Sequence, residues 1–121
     1  MKVKYRIKSN QDFQKVIRDN KKNICGSFII YHSNSSKPNA RIGISTSKKL
    51  GNAVIRNRIR RQVRVMARSV IDLNGKLDYV IIVRKGYLNN NYQDNLEELK
   101  KTISKIKEDY QSLWKNLNRD F

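Results

Sequence analysis

The spacing of apolar residues along the chain predicts three helices. Apolar residues three and four apart predict a short first helix over about 11–20, with Ser9 or Asn10 as its N-terminal cap. A longer stripe predicts a second helix over Asn52–Ile71, with Asn52 as its cap. A third stripe over Leu96–Leu117 predicts a last helix that packs on a sheet, with a coiled-coil seam as the alternative. The second stripe consists of Ile55, Ile59, Val63, Met66 and Val70.

Three segments with strand-like composition predict a small sheet. Ser27–His32 is rich in β-branched and aromatic residues, and its alternation puts Phe28 on one face and Tyr31 on the other. Arg41–Thr46 predicts a second strand that forms a hairpin with the first. The nearly continuous apolar run over Asp78–Val83 predicts a buried central strand. The order of elements indicates an α+β fold with a small sheet.

The basic residues are concentrated in the first part of the chain. Lys and Arg total 27 against 10 Asp and Glu, which gives a formal net charge of +17. Residues 1–71 hold 18 basic and 2 acidic side chains, residues 72–121 hold 9 and 8, and residues 20–71 hold no acid. Such a one-sided cationic field is typical of proteins that bind polyanions, above all nucleic acid, with an anionic membrane surface as the weaker alternative.

Arginines form the most basic surface of the predicted second helix. Four of them stand four residues apart on one slowly winding face that two others broaden: Arg56, Arg60, Arg64 and Arg68, with Arg58 and Arg61 beside them. A guanidinium makes paired hydrogen bonds to phosphate and keeps its charge. Lys48 and Lys49 precede the helix start, where backbone amides favour anions. A merely solvated face would interleave Glu with Arg, so we expect this face to point outward and to bind a polyanion. Structured RNA is the better match, because the sequence has no helix-turn-helix, zinc-finger or zipper pattern that would favour DNA.

The sequence carries few residues for other chemistry. Cys25 is the only cysteine and His32 the only histidine, so we expect no intramolecular disulfide and no usual zinc shell. The basic part has no clustered carboxylates, so the chain alone is predicted to be non-catalytic, and His32 is interpreted as a packing or surface residue. No apolar run is long enough to cross a bilayer and no signal-peptide pattern follows Met1. We therefore expect a cytoplasmic protein without a membrane partner.

A continuous motif in the basic part resembles the bacterial ribonuclease P protein component. That family's signature is a Lys-x-Gly-x-Ala-Val-x-Arg-Asn run followed by further basic residues. The matching residues are Lys49, Gly51, Ala53, Val54, Arg56, Asn57, Arg60, Arg61 and Arg64. The similarity extends to residues 10–16, 28–31 and 79–85, whereas the last helix matches by pattern alone.

The resemblance implies a role as the protein cofactor of an RNA enzyme. In the family, a large catalytic RNA performs the Mg²⁺-dependent endonucleolytic cleavage that removes the 5′ leader of precursor tRNA. The partners would be the catalytic RNA and precursor tRNA, with Mg²⁺ bound through RNA and substrate phosphates and no metal or catalytic residue on the chain.

The resemblance also implies a fold. The family has one RNA-binding α+β domain, here expected over residues 1–121, with three helices packed on a small mixed sheet of four strands. Its elements follow the order α-β-β-β-α-β-α and include an uncommon left-handed βαβ crossover. The residue pattern predicts three strands and does not place the fourth.

Carried onto this sequence, the family pattern implies two RNA contacts. The residues expected to bind the catalytic RNA are Lys48, Lys49, Arg56, Asn57, Arg58, Arg60, Arg61, Arg64 and Arg68. Those expected to line a cleft for the 5′ leader, between the sheet and the first helix, are Phe13, Ile17, Tyr31, Arg60 and Arg64. Ile17 occupies a position that is often aromatic in the family, and simple core packing is the alternative for the three apolar residues. The alternative function is a general structured-RNA-binding protein, of ribosomal or chaperone type, without a cleavage role.

Overall fold

Three helices and a four-stranded sheet make up the computed structural model, which describes residues 2–117. In chain order they are α1 (Asn10–Arg18), β1 (Lys22–Ile24), β2 (Phe28–Asn34), β3 (Arg41–Ser45), α2 (Ala53–Val70), β4 (Leu77–Val83) and α3 (Tyr92–Leu117). Short 3-10 helices accompany them over Val3–Tyr5, Lys48–Leu50 and Lys85–Asn89. The expected α+β class and element order are therefore observed. Residue 1 and residues 118–121 lie outside the described residues, and the extent of the RNA-binding domain stays a prediction.

The strands are ordered β1-β2-β4-β3, with β4 in the interior of the sheet as its apolar run predicts. β2 pairs antiparallel with β1 and β4, whereas β3 pairs in parallel with β4. The predicted hairpin between the strands at 27–32 and 41–46 is therefore wrong, because the hairpin partner of β2 is β1. The apolar pattern gives no sign of β1, since a short edge strand that stays largely exposed needs no alternating apolar face.

α2 connects β3 to β4 and so forms the crossover that adjacent parallel strands require. The helix begins where the sequence predicts, because the Asn52 side chain accepts a hydrogen bond from the Ile55 amide at 3.0 Å. α1 is capped in the same way by Ser9, which accepts from the Asp12 amide at 3.0 Å. The left-handed sense of the crossover stays a prediction.

Each face of the sheet has its own apolar core. α2 and α3 cover one face, and the buried residues of that core include Phe28, Ile30, Ile59, Val63, Met66, Tyr79, Ile81, Leu99, Ile103 and Ile106. α1 covers part of the other face, where Val16 packs with Ile7 and Val80. Tyr31 lies on this second face, opposite Phe28, as the alternation along β2 predicts.

α3 is longer than the sheet that it covers. Its 26 residues span about 39 Å, whereas a seven-residue strand such as β4 spans about 23 Å. Leu113 and Leu117 are consequently 55% and 67% exposed, so the prediction that the whole stripe packs on the sheet is wrong for the last two turns. In α2, Ile55 is likewise 41% exposed, because it precedes the part of the helix that reaches the core. Within residues 2–117, no helix combines the length and the apolarity that crossing a membrane requires.

A buried arginine joins α1 to the sheet. Arg41 of β3 donates from Nε and Nη2 to the two carboxylate oxygens of Asp78, at 3.2 and 2.8 Å, and from Nη1 to Asp12 Oδ2 of α1 at 3.1 Å. Arg41 and Asp78 are 7% and 3% exposed, so this pair is shielded from water. The hydrogen bond with Asp78 raises the pKa of Arg41, although burial acts in the opposite direction. The cluster therefore fixes one end of α1 against β3 and β4.

We predict that Asp78→Ala lowers the free energy of unfolding by about 3–5 kcal/mol, because it leaves a buried guanidinium with one partly exposed partner. Asp109→Ala is the matched control, since Asp109 pairs with Lys105 at 3.3 Å in an exposed position on α3. Its removal should cost less than about 1 kcal/mol. Urea unfolding of both variants checks the prediction, and equal losses of stability would contradict it.

Candidate nucleic-acid interface

The segment before α2 holds two lysines at the start of the helix. Lys48 and Lys49 are exposed on a 3-10 turn that buried Leu50 anchors in the core. Gly51 then adopts a φ of +140°, which side chains rarely tolerate, and a Cβ there would lie 3.0 Å from Ile55 Cδ1. The glycine of the motif is thus required by the backbone turn that brings both lysines beside the first turn of α2.

The arginines of α2 occupy three strips of its surface. One strip holds Arg56, Arg60 and Arg64, which are half-buried, so this part of the row that is predicted to face outward is only partly exposed, whereas Arg68 of the same row is exposed. The exposed crest of the helix carries Asn57, Arg61 and Arg68, and the flank towards α3 carries Arg58. A four-residue step on an α-helix advances about 400°, so a row at that spacing drifts around the helix, and neighbouring elements cover part of it.

The arginines of α2 have no carboxylate partners in the described part of the chain. The salt bridges among residues 2–117 are those of Arg41 with Asp12 and Asp78 and that of Lys105 with Asp109. The nearest polar partners are neutral, as Arg60 shows by donating from Nη1 to Thr46 Oγ1 at 2.7 Å and from Nη2 to Asn57 Oδ1. The positive charge of α2 is therefore left for an external anion.

Like charges are held together where α2 meets the segment before α1. Burial, and then the charges of Arg6 and Arg60, lower the pKa of Arg64. The Nε atoms of Arg6 and Arg56 are buried and have no hydrogen-bond acceptor among residues 2–117. A phosphate placed here would relieve the repulsion between neighbouring guanidinium groups.

α1 leaves one row of the sheet uncovered. In the strand register Ser45 lies beside Ile82, Ile82 beside Ile29, and Ile29 beside Ile24. Ser45 and Ile24 are exposed, and Ile82 and Ile29 are half-buried. This partly exposed row crosses all four strands and meets a cavity at Ser45, and we call it the sheet groove.

The next row of the same face brings the predicted aromatic residues to the edge of the sheet groove. Phe13 of α1 lies over Gly43, where a Cβ would come within 2.5 Å of the ring Cζ. Tyr31 lies in the same row, with Val80 between it and Gly43. The ammonium of Lys22 lies 5.6 Å from the centre of the Tyr31 ring. The groove therefore has an apolar, aromatic rim with a cation beside it.

The residues predicted to line the cleft lie in two groups, one beneath α1 and one on α2. Phe13, Ile17 and Tyr31 pack in the apolar cluster beneath α1. Arg60 reaches the end of the sheet groove at β3, where it lines one cavity with Phe13. Arg64 lies further along α2, beside Arg6, and lines a second cavity together with Arg60. Phe13, Ile17 and Tyr31 are half-buried. Each of them packs in the core and is also partly exposed to solvent.

Several residues of this surface are missing from the sequence prediction. Ile7 of the segment before α1 donates its amide to the Ile42 carbonyl at 3.0 Å, so that segment runs beside β3. Its basic residues thereby join the surface of α2, with Lys2 beside Arg68 and Lys8 beside Arg60. The signal for them was a two-residue period of basic side chains: Lys2, Lys4, Arg6 and Lys8.

His32 is a buried residue that is hydrogen-bonded within the protein. It is 8% exposed, and its Nδ1 and Nε2 form hydrogen bonds with Tyr110 Oη at 2.9 Å and Asn23 Oδ1 at 3.0 Å. Burial lowers its pKa, and the charge of Lys21 lowers it further while Asp109 opposes. Of the two interpretations, packing rather than surface exposure is the one observed. Among residues 2–117 no three His, Cys, Asp or Glu side chains are grouped as metal ligands would be.

Comparison with known proteins identifies the family. The family model described as "Ribonuclease P" matches residues 1–107. The chain belongs to the ribonuclease P protein family. The predicted resemblance is thereby confirmed, and with it a role as the protein component of a ribonucleoprotein that processes tRNA.

Relatives in this family are similar over most of their length. The ribonuclease P protein component of Bacillus cereus (strain ATCC 10987 / NRS 248) is 44% identical over 108 residues, which cover 85% of this chain and 88% of that protein. The component of Streptococcus pyogenes serotype M5 (strain Manfredo) is 36% identical over 115 residues, or 93% and 97% of the two chains.

Solved structures of ribonuclease P proteins share the fold. The Staphylococcus aureus protein superposes with a TM-score of 0.75 at 33% identity, over 85% of this chain and 95% of that one. The Thermotoga maritima protein gives 0.67 at 26% identity, over 78% and 90%. The four-stranded α+β arrangement is thus that of the ribonuclease P proteins.

We predict that Gly43→Ala displaces the Phe13 ring from the sheet groove and lowers the free energy of unfolding by about 1–3 kcal/mol, as overpacking does. Ser45→Ala, at the next exposed position on the same face of β3, should change it by less than about 0.5 kcal/mol. Urea unfolding and the nuclear Overhauser effects of the Phe13 ring check both statements. An unmoved ring in Gly43→Ala would show that its position does not depend on the missing Cβ.

Proposed function

We propose that this protein binds the catalytic RNA of ribonuclease P with α2 and holds the 5′ leader of precursor tRNA in the sheet groove. The observation that carries the proposal is the run of α2 arginines without carboxylate partners among residues 2–117, placed beside a groove with aromatic residues at its edge. The two surfaces suit different RNA contacts, because the surface of α2 is cationic and the sheet groove is partly apolar.

The cationic surface of α2 suits the phosphates of a folded RNA. Guanidinium groups make paired hydrogen bonds to phosphate oxygens, and a structured RNA presents many phosphates to a broad cationic face. The residues proposed for this contact are Lys48, Lys49, Arg56, Asn57, Arg58, Arg60, Arg61, Arg64 and Arg68, joined by Arg6. Most of the binding energy would come from the release of counterions, so affinity should fall steeply with salt.

The sheet groove suits a single strand. Proteins that bind single-stranded nucleic acid combine a cationic path with aromatic side chains on which bases stack. Phe13 and Tyr31 would supply the stacking surfaces, Ile17 an aliphatic contact, and Arg60 and Arg64 the contacts to the leader backbone. Lys22 lies at the far side of the same face and extends the cationic path.

These contacts would make the protein a positioning subunit. Leader contacts exist for precursor tRNA and not for mature tRNA, so they favour substrate over product. Mg²⁺ bound by the RNA and substrate phosphates would supply the activation of the attacking water. The cationic side chains proposed here are not metal ligands; they neutralise phosphates and so lower the Mg²⁺ concentration at which the RNA folds and binds substrate.

We predict that Arg56→Ala combined with Arg60→Ala weakens binding of the catalytic RNA and flattens its salt dependence, by about one unit of log–log slope for each phosphate that is no longer neutralised. Lys100→Ala with Lys101→Ala is the matched control, because it removes the same charge from exposed positions on α3. Filter binding over a range of salt concentrations measures both. Equal effects of the two pairs would mean that net charge alone, and not the surface of α2, binds the RNA.

The variant Tyr31→Ala distinguishes the proposed leader contact in the sheet groove from the proposed binding of the catalytic RNA by α2. It removes no charge, so it should leave the affinity for catalytic RNA and its salt slope unchanged, while it narrows the preference for precursor over mature tRNA in the reconstituted enzyme. If the wild-type chain bound the catalytic RNA without any effect on precursor tRNA, a general structured-RNA-binding role would replace the one proposed.

A further inference from the structure

A second concave site lies on the flank of α2 that faces away from the sheet groove. It is an open cavity of about 380 Å³ between the middle of α2 and the start of α3. Exposed apolar side chains line its mouth, with Ile55 at 41%, Leu88 at 49% and Tyr92 at 41% exposure. Arg58 and Gln62, one turn apart on α2, line the same cavity. No residue that lines it carries a negative charge.

The polar groups of this cavity are held in place. Tyr87 donates its hydroxyl to the amide oxygen of Gln62 at 2.7 Å. Burial raises the pKa of Tyr87 to about 12, so the hydroxyl keeps its proton. Within the described part of the chain, the Gln62 side chain forms a hydrogen bond only through its oxygen, so its NH₂ group is available to a ligand.

The opposite wall is held by a hydrogen-bond network at the start of α3, in which Ser27 and Asn95 are buried and Asn90 is exposed. Ser27 donates to Asn95 Oδ1 at 2.6 Å, and Asn90 donates from Nδ2 to Ser27 Oγ and Glu98 Oε2 at 3.2 and 3.1 Å. Asn90 therefore uses its NH₂ group within the protein and keeps its carbonyl oxygen as an acceptor at the cavity. A cavity that offers a donor from Gln62 and an acceptor from Asn90 is matched by a small planar group that carries both an acceptor and a donor.

We propose that this cavity binds an unpaired nucleobase of the catalytic RNA, stacked against Tyr92 and hydrogen-bonded by Gln62 and Asn90. Proteins recognise unpaired RNA bases by stacking them on aromatic side chains and bonding their edges. Arg58 lies at the same cavity and would bind the adjoining phosphate. The inference rests on the proposed function and adds a base-reading contact to it.

Continuity with the cationic surface favours the catalytic RNA as the source of the base. Arg58 belongs to α2, whose crest carries Asn57, Arg61 and Arg68. The groove proposed for the leader lies on the other flank of α2, where Arg60 contacts Thr46. An RNA that covers the crest thus reaches this cavity directly, whereas the leader would have to pass around the helix.

The test compares Tyr92→Leu, which removes the ring but keeps an apolar side chain, with Tyr92→Phe, which keeps the ring. Tyr92 begins α3 and is partly exposed, so both variants should match the wild-type protein in urea unfolding. A stacked base contributes about 1–3 kcal/mol, so Tyr92→Leu should weaken binding of the catalytic RNA about 5- to 150-fold. Tyr92→Phe should change it less than about twofold, and neither should alter the salt slope, because both variants keep every cationic side chain.

Chemical probing of the bases in the same complexes gives a second readout. One nucleotide protected by the wild-type protein and by Tyr92→Phe should become reactive with Tyr92→Leu. Unchanged affinity and unchanged reactivity with Tyr92→Leu overturn the base pocket and leave the proposed function standing; the cavity would then suit an apolar peptide instead. Failure of the wild-type protein to bind the catalytic RNA at all would overturn the proposed function itself, and the base pocket with it.

Discussion

The ion cluster of Arg41 with Asp78 and Asp12 determines where the first helix meets the sheet. It ties one end of α1 to β3 and β4, and the nine residues of α1 then cover only part of that face. The row from Ser45 to Ile24 is left open as a consequence. A buried pair of this kind is weak evidence for stability, because desolvation offsets much of its attraction. Its clearer effect here is positional, since it leaves the sheet groove uncovered.

The same cluster shows how the protein divides its cations. Arg41 is a basic residue of the acid-free segment 20–71 that pairs with acids from outside that segment, and it is buried. The arginines of α2 have neutral partners or like charges around them within residues 2–117. One class of arginine thus stabilises the fold, and the other is available to phosphates. The net charge alone does not distinguish them, whereas burial and pairing do.

Features that depend on nearby residues, such as helix bounds, were predictable from the sequence, whereas strand pairing and the placement of helices on the sheet were not. Asn52 and the apolar stripe after it predicted the bounds of α2 because a cap and a period are both local. The partner of β2 was predicted wrongly because pairing depends on which strands the crossover brings together. Ile82 and Ile29 have the pattern of ordinary strand residues, and their place in the sheet groove depends on where α1 ends on the sheet. The exposure of Leu113 likewise depends on the size of the sheet below it.

The central claim is that this protein adds leader contacts to an RNA enzyme, and substrate discrimination tests it most directly. The measurement is the dissociation constant of precursor and of mature tRNA for the catalytic RNA at limiting Mg²⁺, with and without the 121-residue chain. We expect the chain to lower the dissociation constant of precursor tRNA and to leave that of mature tRNA nearly unchanged. Without the catalytic RNA, the chain should cleave neither tRNA. Equal tightening of both tRNAs, or cleavage by the chain without the RNA, would contradict the account.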